Sequence, residues 1–342
     1  MRNFLPLNDL TRIHAPIRAD IDRAVARVFD SGWFLRGREV QAFEEEWADF
    51  CGQKYCVACN SGTDALTIAA LALQFTEASV QANTLPLTAI GLHRGGVAVK
   101  VVDVDEDGRV KTGDGIAVPV LLFGRHPTPG EAQYRLFDAA HSHGWRPPAQ
   151  ATACWSFYPS KTLGAAGDGG AVTTNDIGVA ESMRDLTGRD DQLRDGRQIT
   201  SRMDEIQAAI LRVKLRHLPS WIEQRKAIGA WYNAHLPPEV RMVATDARDL
   251  HHLAVVRMER RDKMAAALLA QGIETKIHFP DPLHLQKAPW GNPSLRLPVA
   301  ERWRRTILTL PCFPGMTEAE LTSVVNVISQ RIAADLSEQV PA

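Results

Sequence analysis

Ser156-Phe-Tyr-Pro-Ser-Lys161-Thr-Leu-Gly-Ala-Ala-Gly-Asp-Gly-Gly170 is the stretch on which the reading of this chain turns. Most lysines lie on solvated faces, yet Lys161 sits among apolar residues and glycines. Partial burial lowers the pKa of such an amine and makes it a better nucleophile. The glycines are not a dinucleotide-binding fingerprint, because an apolar strand (171–174) rather than a helix follows them. They suit a turn that passes close beside a bound ring. Taken alone, a surface turn with an exposed lysine would give the same pattern.

Two upstream segments give that lysine a setting. Asn60-Ser-Gly-Thr-Asp64 lies between a short apolar strand (55–59) and a run, 65–73, that is apolar on all sides and so reads as a buried helix. Free backbone N–H groups at a helix N-terminus form an anion site, and the helix dipole favours phosphate there. Gly62 permits close approach of a ligand, and Ser61 and Thr63 add hydroxyls. An ordinary N-cap has the same composition. Asp138-Ala-Ala-His141 closes an apolar strand (134–137). A carboxylate at the C-terminal end of a strand in an open α/β sheet is placed to meet a ligand. It could equally cap a helix or sit in a loop.

Around these segments, strand-like stretches at 97–104, 117–123, 134–137 and 171–174 alternate with helical ones, which predicts a mainly parallel sheet. Pro16 opens a helical pattern that Gly32 stops, residues 40–50 are amphipathic, and helices are expected from Asp204 to Pro219 and over 222–236. Beyond these, short strands (253–258, 274–278) and helices (262–271, 318–333) predict a smaller α+β unit. The expected division is a large domain, 1–236, and a small C-terminal domain, 237–342.

Composition narrows the function classes. A chain of 342 residues with 45% hydrophobic side chains can bury a large core. A net charge of -1 without long charged blocks argues against nucleic acid or an anionic membrane as partner. No apolar run reaches the ~18 residues of a membrane span, and the start, MRNFLPLNDL, lacks the apolar core of a leader. Five cysteines, an odd number, then read as reduced thiols of a cytoplasmic protein. Cys56 and Cys59 form a CxxC, but two further zinc ligands are not close in sequence, so packing is expected there and no metal.

The order of phosphate loop, strand-end Asp and glycine-set Lys is that of fold-type I pyridoxal-phosphate (PLP) enzymes. Along nearly its whole length the chain resembles the DegT/DnrJ/EryC1/StrS family of sugar aminotransferases. The resemblance rests on Ser31-Gly-Trp, Asn60-Ser-Gly-Thr-Asp-Ala-Leu66, Asp138-Ala-Ala-His141, Ser156-Phe-Tyr-Pro-Ser-Lys161 and Gly167-Asp-Gly-Gly170. It continues through Ser201-Arg-Met-Asp204, Gln207-Ala-Ala209, His278-Phe-Pro280, Pro282-Leu-His284 and Leu310-Pro-Cys-Phe-Pro314.

That resemblance implies an aspartate-aminotransferase-like fold and a homodimer with its sites at the subunit interface. It implies transamination, in which glutamate or glutamine supplies the amino group for a nucleotide-linked keto-deoxysugar. Lys161 would carry PLP as a Schiff base and move the proton. Asp138 would pair the pyridine nitrogen, keeping the ring able to accept electrons. His141 would touch the ring hydroxyl, where many relatives have Gln, and Ser61, Gly62, Thr63 and Ser156 would hold the phosphate. Leu85 stands where relatives stack an aromatic residue on the ring. Thr200 stands where they offer an Asn to the neighbouring subunit's phosphate, with Arg202 beside it on the substrate side. His278 and His284 would lie near the mouth, or serve only loop structure. The stretch between Asp103 and Asp138 is shorter than in relatives. A carbocyclic ketone such as a cyclitol is the alternative acceptor. Sugar dehydratases of this type carry His in place of the lysine, and a PLP-binding regulator without turnover would not need Lys161 and Asp138 intact.

Overall fold

A computed structural model describes residues 4–111, 117–188 and 198–337. Three short or medium helices, α1 (Leu10–His14), α2 (Arg18–Ser31) and α3 (Arg38–Cys51), lead into β1 (Tyr55–Cys59) and α4 (Gly62–Ala72). There follow β2 (Glu77–Gln81), α5 (Leu87–Arg94), β3 (Ala98–Val102), β4 (Leu136–Asp138), β5 (Thr152–Ser156), β6 (Gly170–Thr174) and α6 (Ile177–Leu186). Helices α7 (Glu205–Leu215) and α8 (Leu218–His235) then lead to β7 (Arg241–Met242), β8 (Ala254–Arg257), α9 (Arg261–Ala270), α10 (Pro298–Thr306), β9 (Ile307–Leu310) and α11 (Glu318–Ser337).

β6 runs antiparallel between β1 and β5, and β4 pairs β5 in parallel. Parallel bridges Val120↔Asp138 and Ser79↔Ala117 carry the pairing on to β2, which pairs β3 in parallel. The sheet is therefore mainly parallel, with β6 running against its neighbours, as the alternating pattern predicts. The strand expected at 117–123 is reduced to those two bridges. Pro119 offers no N–H to a ladder, and the chain turns at Leu122–Gly124, where Phe123 takes a φ of 66°.

Both faces of the sheet are covered. On β1, Val57 and Cys59 pack with α4 and α5, while Cys56 and Ala58 pack with α3 and α7. Alternate side chains of a strand leave on opposite faces, so Cys56 and Cys59 belong to different core layers and cannot share a ligand. Fully burying aliphatic side chains such as Leu66 and Ile68 contributes about 1.5–3 kcal/mol each. Helix α4 begins three residues before the apolar run, because the Ser61 hydroxyl accepts the Asp64 N–H at 3.1 Å and caps it there.

The antiparallel strands β7, β8 and β9 build a second core with α8, α9 and α11. Leu5, Ile13 and Ile17 join this core, and Leu5 bridges to Ile273. The N-terminal segment thus crosses the expected division at residue 236. Helix α8 serves both cores, with Leu218 and Ile222 in the first and Trp221, Ile228 and Tyr232 in the second. The strand expected at 274–278 is a single bridge, Lys276↔Thr309.

Candidate functional site

The C-terminal ends of β4 and β5 and the N-terminus of α4 open onto one cavity of about 390 Å³. Ser61, Gly62, Thr63, Leu85, Asp138, His141, Ser156 and Lys161 all line it, drawn from segments as far apart as residues 61 and 161. Gly62 is required by the close packing, since a Cβ there would lie 2.6 Å from Ser156 Cβ. At the start of α4 the Asp64 N–H goes to Ser61 Oγ and the Ala65 N–H to the Ser61 carbonyl. The N–H groups of Gly62 and Thr63 precede any helical acceptor, and Ser156 Oγ would lie 3.2 Å from a Cβ at Gly62.

Asp138 is buried at the end of β4. Its Oδ2 accepts the Thr88 hydroxyl at 2.7 Å and its Oδ1 the Ala140 N–H at 3.1 Å. Burial pushes its pKa up, and the two hydrogen bonds and the Lys161 charge act against that. Burial lowers the Lys161 ammonium to about 8, with Asp138 opposing the shift. A fraction of this amine is therefore neutral near pH 7, as a nucleophile must be. His141 is held well below its usual range by burial and by Lys161. Its Nδ1 accepts the Phe123 N–H at 3.2 Å, so the neutral ring carries its proton on Nε2.

Helix α7 and the residues before it brace the site from behind. Gln207 Oε1 accepts the Ala166 N–H at 2.8 Å, and the buried Lys214 ammonium donates to the Gly164 carbonyl, so two α7 side chains grip the turn that carries Lys161. Ser201 Oγ accepts the Asn60 N–H at 3.0 Å and donates to Asp64 Oδ2 at 2.7 Å, tying the 60–64 loop to the approach to α7.

The remaining expected residues separate. Leu85 is 39% exposed at the cavity mouth. His278 lines an adjoining chamber of about 360 Å³ that shares Leu85, His141, Tyr158, Lys161 and Phe279 with the first. His278 Nδ1 lies 2.8 Å from Thr309 Oγ1, and burial lowers its pKa to about 4. Thr200 is exposed and Arg202 lines a separate groove beside α3 and β1, so neither reaches this cavity within one chain. His284 is fully buried, 3.4 Å from Glu301, and lines neither chamber. Residues that sequence reasoning did not single out are Thr88, Phe279 and His252. Thr88 sits in α5, which at eight residues is too short to show a clear helical period.

The DegT/DnrJ/EryC1/StrS aminotransferase family matches residues 16–112 and 134–329. The chain belongs to this family. The break in the match falls in the stretch before β4. The erythromycin biosynthesis sensory transduction protein EryC1 of Saccharopolyspora erythraea is 36% identical over 94% of this chain and 98% of its own. The dTDP-3-amino-3,4,6-trideoxy-alpha-D-glucose transaminase of Streptomyces venezuelae is 35% identical over 95% of this chain and 96% of its own. The crystal structure of S. venezuelae DesV matches with a TM-score of 0.89 at 33% identity, covering 96% of this chain and 98% of that one.

As a member of this family the protein is a PLP-dependent aminotransferase. The cavity suits that cofactor. The Gly62–Ser156 contact leaves a cradle for a phosphate, a carboxylate faces the cavity where a pyridinium would need one, and a lysine amine of lowered pKa lies beside it. Among the described residues no helix is long and apolar enough to cross a membrane.

Proposed function

We propose that this aminotransferase moves an amino group from glutamate or glutamine to the keto carbon of a nucleotide-linked keto-deoxysugar. The observation that carries the reading is the convergence of Lys161, Asp138 and the Gly62–Ser156 cradle on one cavity. Bound PLP supplies an electron sink for the substrate carbon. The Gly62 and Thr63 N–H groups and the Ser156 hydroxyl would bind its phosphate. Asp138 would hold the proton on the ring nitrogen, and the His141 Nε2–H would be a donor for the ring oxygen. Lys161 would hold the cofactor through its amine and would be the group that moves the proton at the substrate carbon. Leu85 would lie over the ring, and His278 lines the adjoining chamber, where substrate would enter.

The substrate class is supported by the dTDP-sugar transaminase among the relatives. EryC1 carries a regulatory name, but a regulator without turnover has no need of both Lys161 and Asp138. A dehydratase of this type would have His at 161. The working unit is a homodimer in the cytoplasm, with no nucleic acid or membrane partner. Two features support the dimer. Phe29, Trp33, Phe34 and Leu35 leave an exposed apolar cluster, and Thr200 and Arg202 lie outside their own chain's cavity. The division into a large domain, 1–236, and a small one, 237–342, is part of the same proposal, with the N-terminal segment docked on the smaller unit.

The test is an assay of purified protein with glutamate or glutamine against nucleotide-linked keto-deoxysugars and carbocyclic ketones, beside light scattering. Amination of a keto-sugar by a dimer is expected. Turnover of a cyclitol ketone alone would move the substrate assignment to the second reading, and a fully active monomer would remove the dimer.

A further inference from the structure

We propose that His252 is a positioning residue that fixes both the His141 ring and the turn carrying Lys161. The proposal rests on the roles assigned above to His141 and Lys161, and it concerns a residue 91 positions beyond the lysine, in the short connection that enters β8.

His252 is buried, with its ring centroid 4.5 Å from that of His141 and its Nδ1 3.2 Å from Thr162 Oγ1, the residue after Lys161. One side chain therefore touches both the proposed partner of the cofactor's ring oxygen and the neighbour of the proposed cofactor-bearing lysine. Its own backbone is clamped. Buried Arg225, from α8, donates to the His252 carbonyl at 3.1 Å and to the Cys312 carbonyl at 2.6 Å.

The Leu122–Gly124 turn gathers the two histidines. Phe123 N–H binds His141 Nδ1 at 3.2 Å, its carbonyl accepts the Leu253 N–H at 3.3 Å, and the Gly124 carbonyl accepts the Leu250 N–H at 2.7 Å. Gly124 has a φ of +85°, and a Cβ there would lie 2.8 Å from His252 N and 3.1 Å from the His141 carbonyl. The turn can lie this close to both histidines because that residue is glycine. The titratable and charged groups facing the pair are Lys161, His143, Arg225 and His278. All are basic, and burial keeps both rings neutral among them. A neutral His252 offers Thr162 one acceptor or one donor and presses an uncharged ring on His141, so neither contact adds charge beside Lys161.

Three variants of the holoenzyme separate the two contacts. His252→Phe keeps a ring against His141 and loses the Thr162 partner. His252→Asn keeps a polar partner for Thr162 and loses the ring. Thr162→Val deletes only the hydroxyl. The readouts are the midpoint of the pH titration of the bound cofactor's visible absorption, and kcat against KM. The midpoint is expected to shift in all three, with kcat falling roughly five- to tenfold, the loss of about one hydrogen bond or ring contact, and KM nearly unchanged. If His252→Phe and His252→Asn keep the wild-type midpoint and kcat and lose only thermal stability, His252 merely packs and the proposal fails. Should neither His252 variant fold, Thr162→Val decides, because it conserves shape, and an unmoved midpoint there overturns the coupling. Borohydride fixation of the cofactor on Lys161 in the wild type is run alongside. Its absence would sink the underlying assignment, whereas its presence with unmoved midpoints would sink only the role of His252.

Discussion

The strand-end part and the loop part of this site are built in opposite ways. In the strand-end part, Ser61, Gly62, Thr63, Asp138, His141, Ser156 and Lys161 lie at a helix start, at a strand end or in the turn that follows one, and all of them meet in one cavity. The other expected residues, the cofactor candidates Leu85 and Thr200 and the substrate candidates Arg202, His278 and His284, scatter. Leu85 stands at the mouth, His278 lines a second chamber, Thr200 and Arg202 face away, and His284 is buried. A parallel sheet delivers its strand ends to one edge whatever the loops do, so a site built on strand ends is encoded locally. Substrate contacts built on loops depend on what packs against them, including matter outside the chain.

The largest expected effects probe the strand-end part. Lys161→Ala should lower turnover by about 10²–10⁴-fold or more, the worth of a positioned acid–base group, and should abolish the yellow colour and the borohydride-fixed link. Peptide mapping that found the cofactor on another lysine would break the convergence. Asp138→Asn should still bind PLP, with activity reduced by about 10²–10³-fold, as when one charge-stabilising group is removed. Because Asp138 raises the Lys161 pKa, which burial sets near 8, the Asn variant should also show covalent cofactor capture rising at lower pH than in the wild type. Thr88→Val removes the hydrogen bond to Asp138 Oδ2, worth about 1.5–3 kcal/mol toward a charged partner. It should cost roughly ten- to hundredfold in kcat. Unchanged kcat would mean that Asp138 needs no help from α5.

The order of strands and helices, the Gly62 cradle and the Lys161 turn were legible in the sequence because each is written in contiguous residues with a period or a glycine to mark it. Thr88 and His252 were not. Thr88 acts across a separation of 50 positions from Asp138, from a helix of only eight residues. His252 meets Thr162 across 90 positions, from a connection with no period at all. The expected strand at 117–123 failed for a local reason, the missing N–H of Pro119. Helix α5 hid its Thr88 contact because nothing in Leu87-Thr-Ala-Ile-Gly-Leu-His-Arg94 distinguishes an inward face.

Thr200 tests whether the cofactor site is completed by a second copy. It is exposed in the single chain, and the family resemblance points it at the neighbouring subunit's phosphate. Thr200→Val keeps the shape and deletes the hydroxyl. If the hydroxyl reaches that phosphate, PLP affinity should fall by about tenfold, since a hydrogen bond to a charged group is worth at least ~1.5 kcal/mol. The melting temperature of the apo form should not move. An unchanged dissociation constant would leave Thr200 as a loop residue and weaken the case for a shared site.

His284 should give the smallest functional effect and the clearest contrast. The resemblance places it near the mouth, but its side chain is fully buried, so it cannot touch a substrate unless the fold around it opens. Its Nε2 lies 3.4 Å from Glu301 Oε1, and its carbonyl accepts the Asn292 N–H at 2.8 Å. Glu301 in turn accepts the Leu297 N–H at 3.3 Å, at the start of α10, so His284 bears on how the 283–297 loop meets that helix. His284→Asn shortens the side chain and disturbs the Glu301 contact. It should lower stability by about 1–3 kcal/mol, the range for disturbing a buried polar group. At temperatures well below the melting point, kcat and the KM for both substrates should stay within about twofold of wild type, because no atom of His284 faces either chamber. A selective rise in the KM of one substrate at unchanged stability would show that the loop opens in the working enzyme, and would return His284 to the substrate side.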